Sequence, residues 1–205
     1  TIHATAPTAE VAQVILMDSA KIQEEDARHA NEKGYTKHDP AKPLYTIEDA
    51  KDALDKFVRH EANRRIDVTR DIACRFRPNG HILGSTFLEL DVGDRRLVFS
   101  GDLGRSESLL HEPPEVPDPM DLLVLESTYG DRLHLQDDPA KQLEKIVQHT
   151  SEKGGNLIIP SFTLGRAQEL MYLLQRLRDQ NRIGEHPVYL DSPMGVNITE
   201  LYNKY

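Results

Sequence analysis

The chain has 205 residues, of which 38% are hydrophobic and 29% charged, as in a soluble globular protein with material for a sizeable core. The formal net charge of −9 argues against a coat protein that binds nucleic acid over a whole basic face. No apolar run approaches the roughly 18 to 20 residues of a membrane span, the start shows no signal-peptide pattern, and the single Cys74 excludes an internal disulfide, so we expect a cytoplasmic protein.

The N-terminal part of the chain is predicted to hold two helices and a strand. Apolar residues recur at near-helical spacing from about Thr8 to Lys33, where Gly34 closes an amphipathic helix. A capping box at residues 46–49 opens a second helix, whose apolar face we expect to extend to Val58. A strand follows near residues 69–76, and its Cys74 is interpreted as core packing rather than as a nucleophile or metal ligand.

The stretch at residues 74–105 predicts a β-hairpin with the two-residue turn Gly93-Asp94. Its register pairs Val92 with Arg95, Leu90 with Leu97 and Leu88 with Phe99, so these apolar residues share one face, which we expect to be half-buried. Continued toward the open end, the register places Ser85 opposite Asp102. The loop that contains His81 then lies beside Asp102, so an imidazole and a carboxylate that bind divalent cations are predicted to be neighbours.

The second half of the chain alternates between apolar runs and helical patterns. The run DLLVLE at 121–126 predicts a strand buried on both faces, and further strands are predicted at NLIIP (156–160) and PVYL (187–190). Asp138-Pro139 begins a helix that ends at Gly154-Gly155, and leucines at helical spacing predict another over Leu170 to Leu177. This β-α-β alternation predicts a parallel sheet with right-handed crossovers.

Three stretches end strands in polar residues: GHILGS (80–85), FSGDLGR (99–105) and VLESTYGD (124–131). In this order they resemble the third and fourth metal motifs of the metallo-β-lactamase superfamily and the acidic motif of its nucleic-acid-processing branch, the β-CASP family. The similarity continues into PSFTLGRAQELMYLL (160–174) and VYLDSPMG (188–195), and the first helix resembles that of bacterial members.

The resemblance implies an α/β fold with two parts. Residues 1–136 would form the C-terminal part of a metallo-β-lactamase αββα sandwich, and residues 137–205 would begin a parallel α/β β-CASP domain. His81 would bind one zinc ion and Asp102 would bridge two, which would activate a shared water for in-line attack on an RNA phosphodiester. Asp102 and Glu126 are implied to be catalytic, Glu126 by orienting a histidine through a hydrogen bond. Manganese in place of zinc is an alternative, because His and Asp suit both metals.

The sequence departs from the family pattern where most ligands would lie. The HxHxDH motif is absent from these residues, as are two downstream histidine motifs, and His3 matches no family ligand position. The abrupt ends of the sequence suggest a piece of a longer protein. We therefore predict that this span alone binds zinc weakly and does not cut RNA, whereas the intact parent does both; two stoichiometric zinc ions in the purified span would contradict this.

Further residues are candidates for contact with RNA. Ser161 and Arg166 flank a predicted helix N-terminus, where free N–H groups attract anions, so our hypothesis is that they bind an RNA phosphate. Helix capping by Ser or Thr, with Arg166 on the surface, is the equal alternative. Asp131 and His134 are cleft candidates without a readable role, and Arg105, Arg132 and Arg166 lie next to the glycine-rich segments.

The preferred interpretation is a ribonuclease, endonuclease or 5′-exonuclease, related to bacterial RNase J and to the endonuclease subunit of the messenger-RNA cleavage and polyadenylation machinery. The alternative is a non-catalytic β-CASP scaffold subunit, against which His81, Asp102 and Glu126 argue. A hydrolase of small esters or thioesters usually lacks the second half, and a nucleotide-binding module would need a GxGxxG or GxxxxGK[ST] motif. We expect RNA as the partner and no membrane, and leave a homodimer open.

Overall fold

The computed structural model describes residues 1–133 and 138–205. Its contacts divide the chain into a first unit, Thr1–Leu125 with Asn203–Tyr205, and a second unit, Glu126–Tyr202. The domain boundary predicted between residues 136 and 137 falls outside the described residues and stays a prediction. No helix in the described ranges is long and apolar enough to cross a membrane.

The first unit begins with a two-stranded parallel pair and two helices. Strand β1 (Ile2–Thr5) leads directly into α1 (Ala6–Lys33), which ends at Gly34 with left-handed φ of 63°, as predicted. The capping box that opens α2 (Ile47–Leu54) is also confirmed. The expected extension of this helix to Val58 is wrong, because β2 (Phe57–His60) pairs in parallel with β1 and takes that residue into a ladder.

Five strands form one sheet in the described part of the first unit: β3 (Arg65–Asp67), β4 (Ile72–Pro78), β5 (Thr86–Val92), β6 (Arg95–Phe99) and β7 (Leu122–Val124), in that order. Neighbours up to β6 are antiparallel, and β6 pairs with β7 in parallel. The predicted hairpin register is confirmed at its three pairs, Val92 with Arg95, Leu90 with Leu97 and Leu88 with Phe99. The short β3 was not predicted.

The more deeply buried face of this sheet is the opposite of the one that the hairpin pattern predicted. Phe87, Glu89 and Val98 are 1 to 3% exposed, whereas Phe99 on the expected face is 38% exposed. The reason is ionic: Glu89 accepts hydrogen bonds from Arg77 and from the Asp118 N–H, which holds the proline-rich loop at residues 112–119 against this face. Strand β7 is also not buried on both faces, since its three residues are each about half exposed.

Cys74 lies in β4 and is a free, buried cysteine, so its predicted role in core packing is confirmed. Burial raises the pKa of its thiol, because the low-dielectric surroundings disfavour the thiolate. A raised pKa is the opposite of what a nucleophilic cysteine requires.

The described part of the second unit contains α3 (Pro139–Glu152), α4 (Arg166–Asp179) and all but the last two residues of α5 (Pro193–Lys204). The predicted cap of α3 is confirmed, since the Asp138 side chain accepts hydrogen bonds from the N–H groups of Ala140 and Lys141. The two helices α3 and α4 share a small core formed by Leu143, Val147, Leu173 and Leu177.

The strands predicted at 156–160 and 187–190 do not form, although both segments lie within the described residues. A strand requires a hydrogen-bonded partner, and Ile158 and Tyr189 are instead 84% and 85% exposed. The parallel sheet expected from them is therefore absent in the described part of this unit. Helix α5 was missed, although Ser192 before Pro193 is a helix-start signal and the Ser192 hydroxyl accepts a hydrogen bond from the Gly195 N–H.

Candidate metal centre

The loop that carries His81 is a tight turn after β4. Gly80 and Gly84 have φ of 71° and 81°, a conformation that side chains disfavour. The Ser85 hydroxyl closes the turn, since it accepts hydrogen bonds from the N–H groups of His81 and Ile82 at 3.2 and 3.0 Å. This arrangement leaves the His81 imidazole 42% exposed at the end of the sheet.

The N-terminus of α1 holds the same turn from the other side. The hydroxyls of Thr5 and Thr8 donate hydrogen bonds to the Gly84 carbonyl at 3.0 and 2.6 Å. A Cβ at Gly84 would lie 2.5 Å from the Thr8 backbone nitrogen, so only glycine allows this approach. Neither threonine was predicted from the sequence, although Thr5 occupies a cap position just before a long helix.

The loop that carries Asp102 follows β6 and meets the His81 loop directly. Gly101 has φ of 56°, and the Gly104 N–H donates to the Asn79 carbonyl at 2.8 Å. His81 Nε2 and Asp102 Oδ2 consequently lie 3.9 Å apart. The prediction that these two side chains are neighbours is confirmed.

The two side chains suit a shared divalent cation. Their separation of 3.9 Å is smaller than twice the metal–ligand bond of about 2.1 Å for imidazole nitrogen or carboxylate oxygen, so one ion can contact both. The Asp102 side chain is 73% exposed, so its carboxylate is accessible from solvent. Within residues 1–133 and 138–205, no group of three or more His, Cys, Asp or Glu forms a complete metal site.

The contact between the two loops depends on glycine at position 104. A Cβ there would lie 2.0 Å from the Gly80 carbonyl oxygen and 2.6 Å from the His81 nitrogen. We expect Gly104→Ala to lower the free energy of unfolding by about 1–3 kcal/mol, because backbone atoms must separate to admit the methyl group. Chemical denaturation would measure this loss. Gly155→Ala is the control, since its Cβ would meet only Thr150 at an ordinary 3.7 Å; equal losses in both variants would contradict the prediction.

The acidic motif lies at the start of the second unit. The Glu126 carboxylate accepts a hydrogen bond from the Thr128 N–H at 3.2 Å, and its role in orienting a histidine stays a prediction. Arg132 pairs with Asp131 at 3.1 Å and lies over the Tyr129 ring. His134 lies outside the described residues.

The start of α4 differs from the expected anion site. The N–H groups of Arg166 and Ala167 bond to carbonyls of the preceding loop, and that of Gly165 bonds to the Gln168 side chain, so these three are not free for an anion. Neither a Ser nor a Thr caps this helix, because Gly165 occupies the cap position. Ser161 is exposed, and Arg166 pairs with Glu169 at 3.0 Å. Contact of these side chains with RNA remains a prediction.

His3 contacts another histidine, His60. Its Nδ1 lies 2.9 Å from Nε2 of His60, so the two imidazoles share a hydrogen bond between β1 and β2. This contact gives His3 a structural role at the edge of the parallel pair.

The chain is similar in sequence to one protein-domain family and to several known proteins. Residues 167–205 match the Beta-Casp domain. Ribonuclease TTHA0252 of Thermus thermophilus is 31% identical over 202 residues, covering 98% of this chain and 42% of the relative. The RNase J-like protein of Methanocaldococcus jannaschii is 32% identical over 168 residues, covering 78% of this chain and 39% of that protein.

A eukaryotic relative and a solved structure extend the comparison. Cleavage and polyadenylation specificity factor 73 of Drosophila melanogaster is 32% identical over 166 residues, covering 79% of this chain and 24% of that protein. The crystal structure of a protein of unknown function from Enterococcus faecalis superposes on 98% of this chain and 43% of its own, with a TM-score of 0.53 and 14% identity, which concerns the fold alone. This chain spans less than half the length of each of these relatives.

Proposed function

On the premise that this chain belongs to the β-CASP family of the metallo-β-lactamase superfamily, we propose that the protein is a metal-dependent ribonuclease. The observation that carries the proposal is the approach of His81 Nε2 to Asp102 Oδ2 at the end of the sheet. RNA as the substrate rests on two relatives whose names are ribonuclease and RNase J-like protein.

Each proposed site residue has a distinct task. His81 would hold a metal ion through its imidazole nitrogen, and the exposed Asp102 carboxylate would bridge two ions. Bound zinc or manganese ions would lower the pKa of a water, so that hydroxide is available near neutral pH. The Glu126 carboxylate would orient a ligand histidine by a hydrogen bond and raise its basicity.

The direct test is cleavage of end-labelled RNA by the full-length protein, with and without a chelator. We expect cleavage that the chelator stops and that added zinc or manganese restores, with metal analysis giving two ions per chain. End-labelled products would also separate endonuclease from 5′-exonuclease action. Chelator-insensitive cleavage would reject the proposal, and tight RNA binding without cleavage would favour a non-catalytic scaffold subunit.

Contact between RNA and the start of α4 is a further part of this proposal. We expect Arg166→Ala to weaken RNA binding whatever the RNA sequence. The slope of log affinity against log salt concentration should fall by about one, because a guanidinium that neutralises a phosphate releases one counterion. Fluorescence anisotropy at several salt concentrations would measure both quantities. Ser161→Ala should weaken binding less, since it removes no charge.

Arg178→Ala is the matched control, because Arg178 is exposed at the other end of the same helix. Identical salt slopes for the wild type and the Arg166 variant would remove this contact from the proposal. A homodimer is also part of the proposal, and sedimentation of the purified protein at several concentrations would test it.

A further inference from the structure

We propose that Asn79 is a positioning residue that fixes the separation of His81 and Asp102. The inference rests on the proposed function, because it concerns the two side chains that would hold the metal ions. Asn79 follows β4 directly and is 1% exposed, so its side chain lies inside the first unit rather than in the open site.

The Asn79 side chain reaches across to the loop of Asp102. Its Nδ2 donates hydrogen bonds to the carbonyl oxygens of Ser100 and Asp102, at 3.1 and 2.9 Å. An amide nitrogen carries two protons, and both are used here. One of the two acceptors is the backbone carbonyl of the proposed bridging carboxylate residue itself.

The same residue also holds the loop of His81. Its Oδ1 accepts a hydrogen bond from the His81 N–H at 3.4 Å, and its own N–H donates to the Ser85 carbonyl at 3.4 Å. Its carbonyl accepts from the Gly104 N–H at 2.8 Å. Asn79 therefore forms direct hydrogen bonds with the backbone of both proposed metal ligands. A single residue connects the His81 loop to the Asp102 loop.

The chemistry of the amide explains why other side chains fit poorly. An aspartate would have the same shape but no donor, and would place a buried carboxylate against two carbonyl oxygens. An alanine would remove both of these hydrogen bonds to the Asp102 loop. Only an amide at this length both donates twice and accepts once.

Asn79 would act on the metal ions through the two ligands, since its buried side chain faces away from solvent. Groups that orient metal ligands typically change metal affinity by about 10–100-fold when they are removed. A residue with a purely structural role would instead change stability and leave the metal affinity of the folded protein unaltered. Metal affinity therefore separates the two roles.

The experiment compares the full-length wild type with Asn79→Ala and Asn79→Ser, the serine variant keeping one donor and guarding against misfolding of the alanine variant. Titration with Zn²⁺ and Co²⁺ measures the dissociation constants, and the visible spectrum of bound Co²⁺ reports the ligand geometry. We expect the dissociation constant to rise about 10–100-fold for alanine, less for serine, with a changed Co²⁺ spectrum. In RNA cleavage, kcat should fall while KM holds.

Gln168→Ala is the matched control, because Gln168 is another buried amide whose two hydrogen bonds, to Gly165 and Thr199, lie within the second unit. It should lower the melting temperature without changing metal affinity. Folded Asn79 variants that bind metal as tightly as the wild type, with an unchanged spectrum, would overturn this inference alone. A wild type that binds no metal would overturn the proposed function as well.

Discussion

Replacing Asp102 by asparagine in the full-length protein is expected to reduce RNA cleavage by at least about 10³-fold, because a neutral amide cannot bridge two cations as a carboxylate does. Metal analysis should show the loss of at least one ion per chain. The fold should be unaffected, since the Asp102 side chain is 73% exposed and such surface changes usually alter stability by less than about 0.5 kcal/mol.

The hairpin supplies a control for this experiment. Asp94 lies in the two-residue turn at the closed end, so Asp94→Asn makes the same chemical change on the same hairpin, away from the proposed site. It should leave cleavage and metal content unchanged. If Asp102→Asn retained both ions and cleaved within a few-fold of the wild type, the bridging role would be wrong.

The second large effect is expected on stability, at the buried Glu89. Its carboxylate is 2% exposed and accepts hydrogen bonds from Arg75 at 3.3 Å, Arg77 at 3.2 Å and the Asp118 N–H at 2.9 Å. Removing one member of a buried ion pair typically costs about 3–5 kcal/mol, because the remaining charge stays buried without its partner. We expect about 3 kcal/mol for Glu89→Gln, the low end of that range, since both arginines also pair with Asp118.

Asp67→Asn on the same sheet is the matched control for Glu89→Gln. Asp67 also pairs with an arginine, Arg65, at 3.0 Å, but its side chain is 74% exposed. Exposed pairs contribute at most about 1 kcal/mol, so chemical denaturation should show a much smaller loss. Comparable losses for the two variants would mean that the ionic contacts of Glu89 do not stabilise the sheet.

Glu89 also connects the sheet to the proposed site. It binds Asp118 in the proline-rich loop, and Arg77 pairs with Glu115 of the same loop at 2.7 Å. The other end of that loop lies against the turn before His81, since a Cβ at Gly80 would be 2.5 Å from the Glu112 carbonyl oxygen. The charged face of the sheet therefore supports the turn that presents the imidazole.

Local signals in the sequence were sufficient for several elements. The turn Gly93-Asp94 fixed the hairpin register, because a two-residue turn determines which residues face each other. Helix ends were also marked locally, by the cap residues before α2 and α3 and by Gly34 after α1. These residues bond or accommodate the terminal backbone groups of the helix within a few positions along the chain. The approach of His81 to Asp102 followed from the register alone.

The sequence alone was sufficient for features that depend on neighbours along the chain, namely the hairpin register, the caps of α2 and α3, the end of α1 and the family motifs. The tertiary structure alone decided that Val58 pairs with β1, that residues 156–160 form no strand, and that Glu89 lies on the more buried face. It also brought the Asn79 side chain to residues 21 and 23 positions further along the chain, where its amide protons meet the carbonyls of Ser100 and Asp102. Such contacts depend on which partner a side chain meets in space, and cap and turn signals do not specify that partner.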